Sequence, residues 1–107
     1  MGNQFGTTVK KIREAKHLLQ RQVAAQLEID TPMLSKIERG ERKAKKEQVP
    51  LFAKVLQTDN EELLTLWLAD QITEVVEDEL LALKAMQVAE EEVKYMLSKK
   101  KDDDRHA

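Results

Sequence analysis

The chain has 107 residues, of which 36% are charged and 4% aromatic, and it contains no cysteine. That length holds one compact domain with an added element rather than two independent cores. The lack of cysteine excludes disulfides, thiolate metal sites and a cysteine nucleophile, and no apolar run approaches the ~18 residues of a membrane span. The opening residues lack the apolar stretch of a signal peptide, so a soluble intracellular protein is expected.

The formal net charge of −2 conceals an asymmetry. Residues 1–58 carry 12 Lys and Arg against 6 Asp and Glu, whereas residues 59–107 carry 6 against 14. A protein divided in this way can offer a basic face to a polyanion while its acidic half faces water or a partner.

Hydrophobic residues recur at helical spacing and no segment alternates like a strand pair, so the fold class is all-α. The first helix is expected from about Phe5 to Lys16, with Phe5, Val9, Ile12 and Ala15 on one stripe. A shorter second helix covers about Gln20 to Leu27 and buries Val23, Ala24 and Leu27. Glu28-Ile29-Asp30 then forms a three-residue turn. Asp30 is a good N-cap, and Pro32 falls in the first helical turn, where its missing N–H costs nothing. The third helix points Leu34 and Ile37 inward and ends at Gly40, a natural left-handed cap. A fourth begins near Lys46 with Val49, Phe52, Ala53 and Leu56 inward, although Pro50 can displace its start.

From Asp59 the character changes. Asp59-Asn60-Glu61-Glu62 is an acidic helix start favoured by the macrodipole, followed by Leu63, Leu64, Trp67, Leu68, Ile72, Val75 and Val76 at helical spacing. Glu77-Asp78-Glu79 is expected to break this helix, with Asp78 capping another that runs to about Leu97. Ala82, Met86, Ala89, Val93 and Met96 form a heptad-like seam in that last helix. The expected division is a first domain over 1–66, a helical extension over 67–97 and a disordered tail over 98–107.

Two short helices joined by a three-residue turn, with basic residues after the second, match the geometry that places a helix in a major groove. The stretch Gln20-Arg21-Gln22-Val23-Ala24-Ala25-Gln26-Leu27-Glu28-Ile29-Asp30-Thr31-Pro32-Met33-Leu34-Ser35-Lys36-Ile37-Glu38-Arg39-Gly40 resembles the helix-turn-helix of the Xre family, the phage-repressor (Cro/cI-like) regulators. The resemblance covers about Phe5 to Leu64. It implies a five-helix lambda-repressor-like DNA-binding module with a C-terminal helical extension, acting on double-stranded DNA in a bacterial cytoplasm.

Carried over residue by residue, the resemblance makes Thr31, Pro32, Met33 and Lys36 the base-reading positions. Lys36 is the strongest of these, because its ammonium can donate to the O6 and N7 acceptors of guanine. Gln20 matches a glutamine that contacts phosphate and braces the recognition helix, and Ser35 joins the backbone-contacting set. Arg39, Arg42, Lys43, Lys45 and Lys46 match a loop that follows the sugar-phosphate backbone, where cations add affinity without reading sequence. Arg13 and Glu38 match a structural salt bridge between the first helix and the recognition helix. Three positions depart from the family pattern. Leu19 stands where a Ser or Thr usually caps the second helix, Pro32 replaces a polar reader, and Pro50 interrupts the fourth helix.

One recognition helix spans few base pairs, so a two-fold dimer with half-sites about one turn (~34 Å) apart is expected. Its candidate interface is Trp67, Leu68, Ile72, Val75 and Val76, continuing into Met86 and Val93. The alternative is that these helices fold back and enlarge the core. His17 and His106 are isolated, and Glu90-Glu91-Glu92 reads as a solvated face. No nucleophile, metal or phosphate-loop spacing is present, so no catalytic residue, metal site, cofactor or enzymatic activity is expected. Three functions fit: a transcriptional regulator, an antitoxin or restriction-modification controller engaging a protein through the C-terminal helices, or an interaction adaptor that has lost DNA binding.

Overall fold

The computed structural model describes residues 2–105, so Met1 and the last two residues of the expected tail, His106 and Ala107, lie outside it. Among the described residues there are six α-helices and no strand: α1 (Gln4–Ala15), α2 (Gln20–Leu27), α3 (Thr31–Arg39), α4 (Val49–Leu56), α5 (Asn60–Val76) and α6 (Ala82–Arg105). A single 3-10 turn, Lys46–Gln48, precedes α4. None of these helices is long and apolar enough to cross a membrane.

The chain divides at Val75/Val76 into two compact units. Most of α5 therefore belongs to the first unit. That unit is built around Phe5 and Val9 of α1, Val23, Ala24 and Leu27 of α2, Leu34 and Ile37 of α3, Val49, Phe52, Ala53 and Leu56 of α4, and Leu63 of α5, with Ala44 from the loop after α3. Phe5 and Phe52 meet edge to face, with ring centroids 5.3 Å apart and planes at 84°. This arrangement sets the positive edge of one ring on the negative face of the other.

Local chemistry explains the helix ends. Asp30 caps α3, its Oδ1 accepting the Met33 N–H at 2.8 Å, and Pro32 lies within the first turn. Gly40 closes α3 at φ +78°, a conformation that glycine adopts without steric cost. Pro50 occupies the second position of α4, where the backbone N–H has no intrahelical partner to lose. The 3-10 turn absorbs the displacement, so α4 begins three residues later than the apolar spacing suggested. At the far end of α4 the Lys16 ammonium donates to the carbonyls of Leu56 and Gln57, which the helix leaves unpaired. Leu19 lacks a capping oxygen, and α2 instead uses Gln22, whose Oε1 accepts the Leu19 N–H at 2.8 Å. Only the returning half of a capping box is present.

Three sequence expectations are corrected. Ala15 is exposed, and the buried stripe of α1 ends on Arg13. Asp78 does not cap the last helix: it adopts a left-handed conformation (φ 64°), and α6 starts only at Ala82. α6 also continues past Leu97 to Arg105. No Gly or Pro interrupts residues 82–105, and lysine is a good helix former, so nothing local stops the helix at Leu97.

Phe52 is fully buried at the centre of the first unit. Phe52→Ala is expected to lower the unfolding free energy by about 3–5 kcal/mol, read from the midpoint of a urea titration with an unchanged slope.

Candidate nucleic-acid interface

The helix-turn-helix is formed by α2, the turn Glu28–Asp30 and α3. Glu28 takes a left-handed conformation (φ 58°), which lets the Ile29 N–H return to the Ala24 carbonyl at 3.1 Å. Ile29 packs against the core between the two helices. The reversal is thus closed by main-chain hydrogen bonds at one end and by the Asp30 cap at the other.

The rotation of α3 about its own axis is set by one buried carboxylate. Glu38 Oε2 accepts the Arg13 Nε–H at 2.7 Å, while its Oε1 accepts Arg13 Nη2–H at 3.0 Å and Gln20 Nε2–H at 2.8 Å. Arg13 also donates to the Leu18 carbonyl at 2.9 Å, which fixes the connection between α1 and α2. The Glu38 hydrogen bond raises the Arg13 guanidinium above its already high pKa, against the opposing effect of burial. Both charges are withdrawn from water, so the network is secure only because its hydrogen bonds are made. Among the described residues no buried side-chain polar atom lacks a partner. Gln20 therefore braces the recognition helix through Glu38.

With Leu34, Ile37 and Glu38 turned inward, the helical period brings Pro32, Lys36 and Arg39 to the opposite, exposed face. Thr31 and Ser35 flank that stripe and are half-buried. Met33 is partly buried and packs against the core, which leaves less of it available to a ligand. Arg39 shares the outward stripe of Lys36, although the sequence placed it with the backbone loop. Its guanidinium bonds the Ser35 hydroxyl and pairs with Glu41 at 2.6 Å. Such an exposed pair contributes little to stability and is readily exchanged.

The C-terminal end of α3 is approached unusually closely by α1. A Cβ placed on Gly6 would lie 2.2 Å from the Ile37 carbonyl oxygen, so only glycine permits this contact. Asn3, at the N-cap position of α1, forms no cap and instead donates to the Glu38 carbonyl at 3.1 Å. The free N–H groups of α1 are served by Asp70 of α5, which accepts from Gln4 N at 2.8 Å and Phe5 N at 2.9 Å. A carboxylate at a helix N-terminus also complements the macrodipole. Asn3, Gly6 and Asp70 were not legible as site-supporting residues, because their partners lie far away in the chain.

Beyond Gly40 the loop carries Arg42, Lys43, Lys45 and, in the 3-10 turn, Lys46, all exposed. Lys43 pairs with Glu74 at 3.0 Å, whereas among the described residues Arg42, Lys45 and Lys46 enter no ion pair. The Trp67 indole N–H donates to the Ala44 carbonyl at 2.8 Å and the ring packs against the core. Trp67 thus faces inward in this unit, whereas Leu68, Ile72 and Val75 of the same helix are exposed. Val76 is half-buried, and Met86 and Val93 are exposed on α6. Among the described residues no group of three or more His, Cys, Asp or Glu side chains could hold a metal ion.

An outward helix face set on a caged carboxylate, with free cations directly after it, is the arrangement of a helix-turn-helix DNA-binding domain. Residues 4–66 match the helix-turn-helix domain family, and the chain belongs to that family. No curated protein and no solved structure matches the chain.

Removing the Glu38 carboxylate would leave the Arg13 guanidinium buried and unpaired. Glu38→Ala is expected to cost about 3–5 kcal/mol of stability, measured by thermal or denaturant unfolding. A loss below 1 kcal/mol would show that Arg13 reaches water in the variant.

Proposed function

We propose that the protein is a sequence-specific double-stranded DNA-binding regulator of the Xre type, acting as a two-fold dimer in the bacterial cytoplasm. The observation that carries this reading is the exposed α3 stripe of Pro32, Lys36 and Arg39 with Arg42, Lys45 and Lys46 unpaired beside it. Lys36 reads a base edge, assisted by Thr31 and by the apolar edge of Pro32 against a thymine methyl. Arg42, Lys45 and Lys46 neutralise phosphates and supply affinity independent of sequence. Arg39 stands between the two sets, and the approach of a phosphate or base would draw it from Glu41.

Dimerisation is supported by the apolar stripe on the outer side of α5, where Leu68, Ile72 and Val75 are 44%, 51% and 79% exposed. Two copies sharing this stripe would remove it from water and double the length of DNA read. The apolar positions Met86 and Val93 of α6 extend the same requirement for cover.

Binding of random and selected duplexes across a salt series tests the DNA reading. Affinity should fall steeply with salt, and its absence at low salt would overturn the proposal. Lys36→Ala should lose about 1–3 kcal/mol of discrimination between selected and random duplexes. Lys45→Ala should weaken both alike and reduce the salt slope by about one. Identical behaviour of the two variants would refute the division into reader and backbone residues. Sedimentation velocity of Ile72→Asp should show a monomer where the parent protein is a dimer, with unchanged helical content.

A further inference from the structure

We propose that Trp67 is a positioning residue of the DNA-binding surface, one that holds the phosphate-facing loop through the carbonyl of Ala44. This inference rests on the DNA-binding reading above, but concerns a residue immediately past the family-matched segment, which ends at residue 66.

The loop from Glu41 to Lys45 is anchored at three places. At its start, the N–H groups of Glu41 and Arg42 converge on the Lys36 carbonyl at 2.9 and 3.3 Å. At its end, the Lys45 N–H donates to Gln48 Oε1 at 2.8 Å. Between them Ala44 buries its methyl group in the core, and its carbonyl accepts the Trp67 indole N–H at 2.8 Å. That middle anchor decides how the cations project. Ala44 is drawn inward, so its neighbours Lys43 and Lys45 are held outward on either side.

Trp67 does not act from a free-standing helix. It shares one face of α5 with Leu63, Asp70 and Glu74, residues three or four apart that all turn toward the module. Leu63 is fully buried, Asp70 bonds the first N–H groups of α1, and Glu74 pairs with Lys43. α1 is in turn locked to the C-terminal end of α3 by Asn3 and Gly6. The segment 67–74 therefore grips the recognition helix by its following loop and, through α1, by its C-terminal end. The Trp67 hydrogen bond ties α5 to the main chain of the loop that carries Arg42 and Lys45, which among the described residues enter no ion pair.

The test replaces the indole N–H while keeping the ring. Trp67→Phe is the first variant; incorporation of benzothienylalanine at 67, which preserves the bicyclic shape and lacks only the N–H, is the second. Each is titrated with random and selected duplexes across a salt series, well below its melting temperature. Loss of one hydrogen bond that orders the loop is expected to weaken binding to both duplexes by roughly three- to tenfold, with their affinity ratio unchanged and the salt slope reduced. Amide exchange at Arg42–Lys45 should accelerate while that of α2 and α3 does not. A purely structural tryptophan would lower the melting temperature and leave salt slope and loop exchange as they were, which would overturn the positioning role alone. Failure of the unaltered protein to bind duplexes would instead overturn the DNA reading, and this inference with it.

Discussion

The orientation of the recognition helix depends on the Glu38 carboxylate. It lies on the inward face of α3 and receives three hydrogen bonds, two from Arg13 on α1 and one from Gln20 on α2. One acceptor group therefore sets α3 against both helices that support it. A buried ion pair gives little net stability compared with an apolar contact of the same size, but it is directional where an apolar contact is not. Leu34 and Ile37 hold α3 in the core, and the carboxylate determines which residues face out.

The C-terminal end of α3 shows a different solution to the same problem. Here α1 comes so close that only Gly6 fits, and Asn3 leaves its own helix to bond a carbonyl of α3. That choice leaves the N-terminus of α1 without a local cap, and Asp70 replaces it from α5. Capping duties are exchanged between elements rather than lost. The consequence is that α5 belongs to the DNA-binding unit well past the point where a minimal helix-turn-helix module ends.

Electrostatics then separate the two faces. After α3, Glu41 engages Arg39 and Glu74 engages Lys43, while among the described residues Arg42, Lys45 and Lys46 enter no ion pair. Residues 59–107 carry 14 Asp and Glu against 6 Lys and Arg, the reverse of the balance in the first half. Opposed to the inward face of α5, Leu68, Ile72 and Val75 form a stripe that a monomer would expose to water. The same helix thus turns one side to its own module and leaves the other exposed.

Much of this was legible in the sequence because it is governed by local rules. The spans of α2 and α3, the Asp30 cap, the Gly40 terminus and the inward set Leu34 and Ile37 follow from helical period and from which residues tolerate which backbone angles. The placement of Lys36 on the outward face follows from the same period. The position of Trp67 on an apolar stripe was equally plain, yet its partner was not, since Ala44 lies 23 residues away. Asn3, Gly6 and Asp70 carried no local signal at all, and Arg39 appeared to belong to the loop after α3 until its helix was seen in three dimensions. The sequence by itself determined the helix-turn-helix and the residues that it turns outward, because period and capping are properties of neighbouring residues. Only the tertiary structure decided how α3 is held and where the module ends, because those depend on hydrogen bonds between residues that the chain brings together solely by folding.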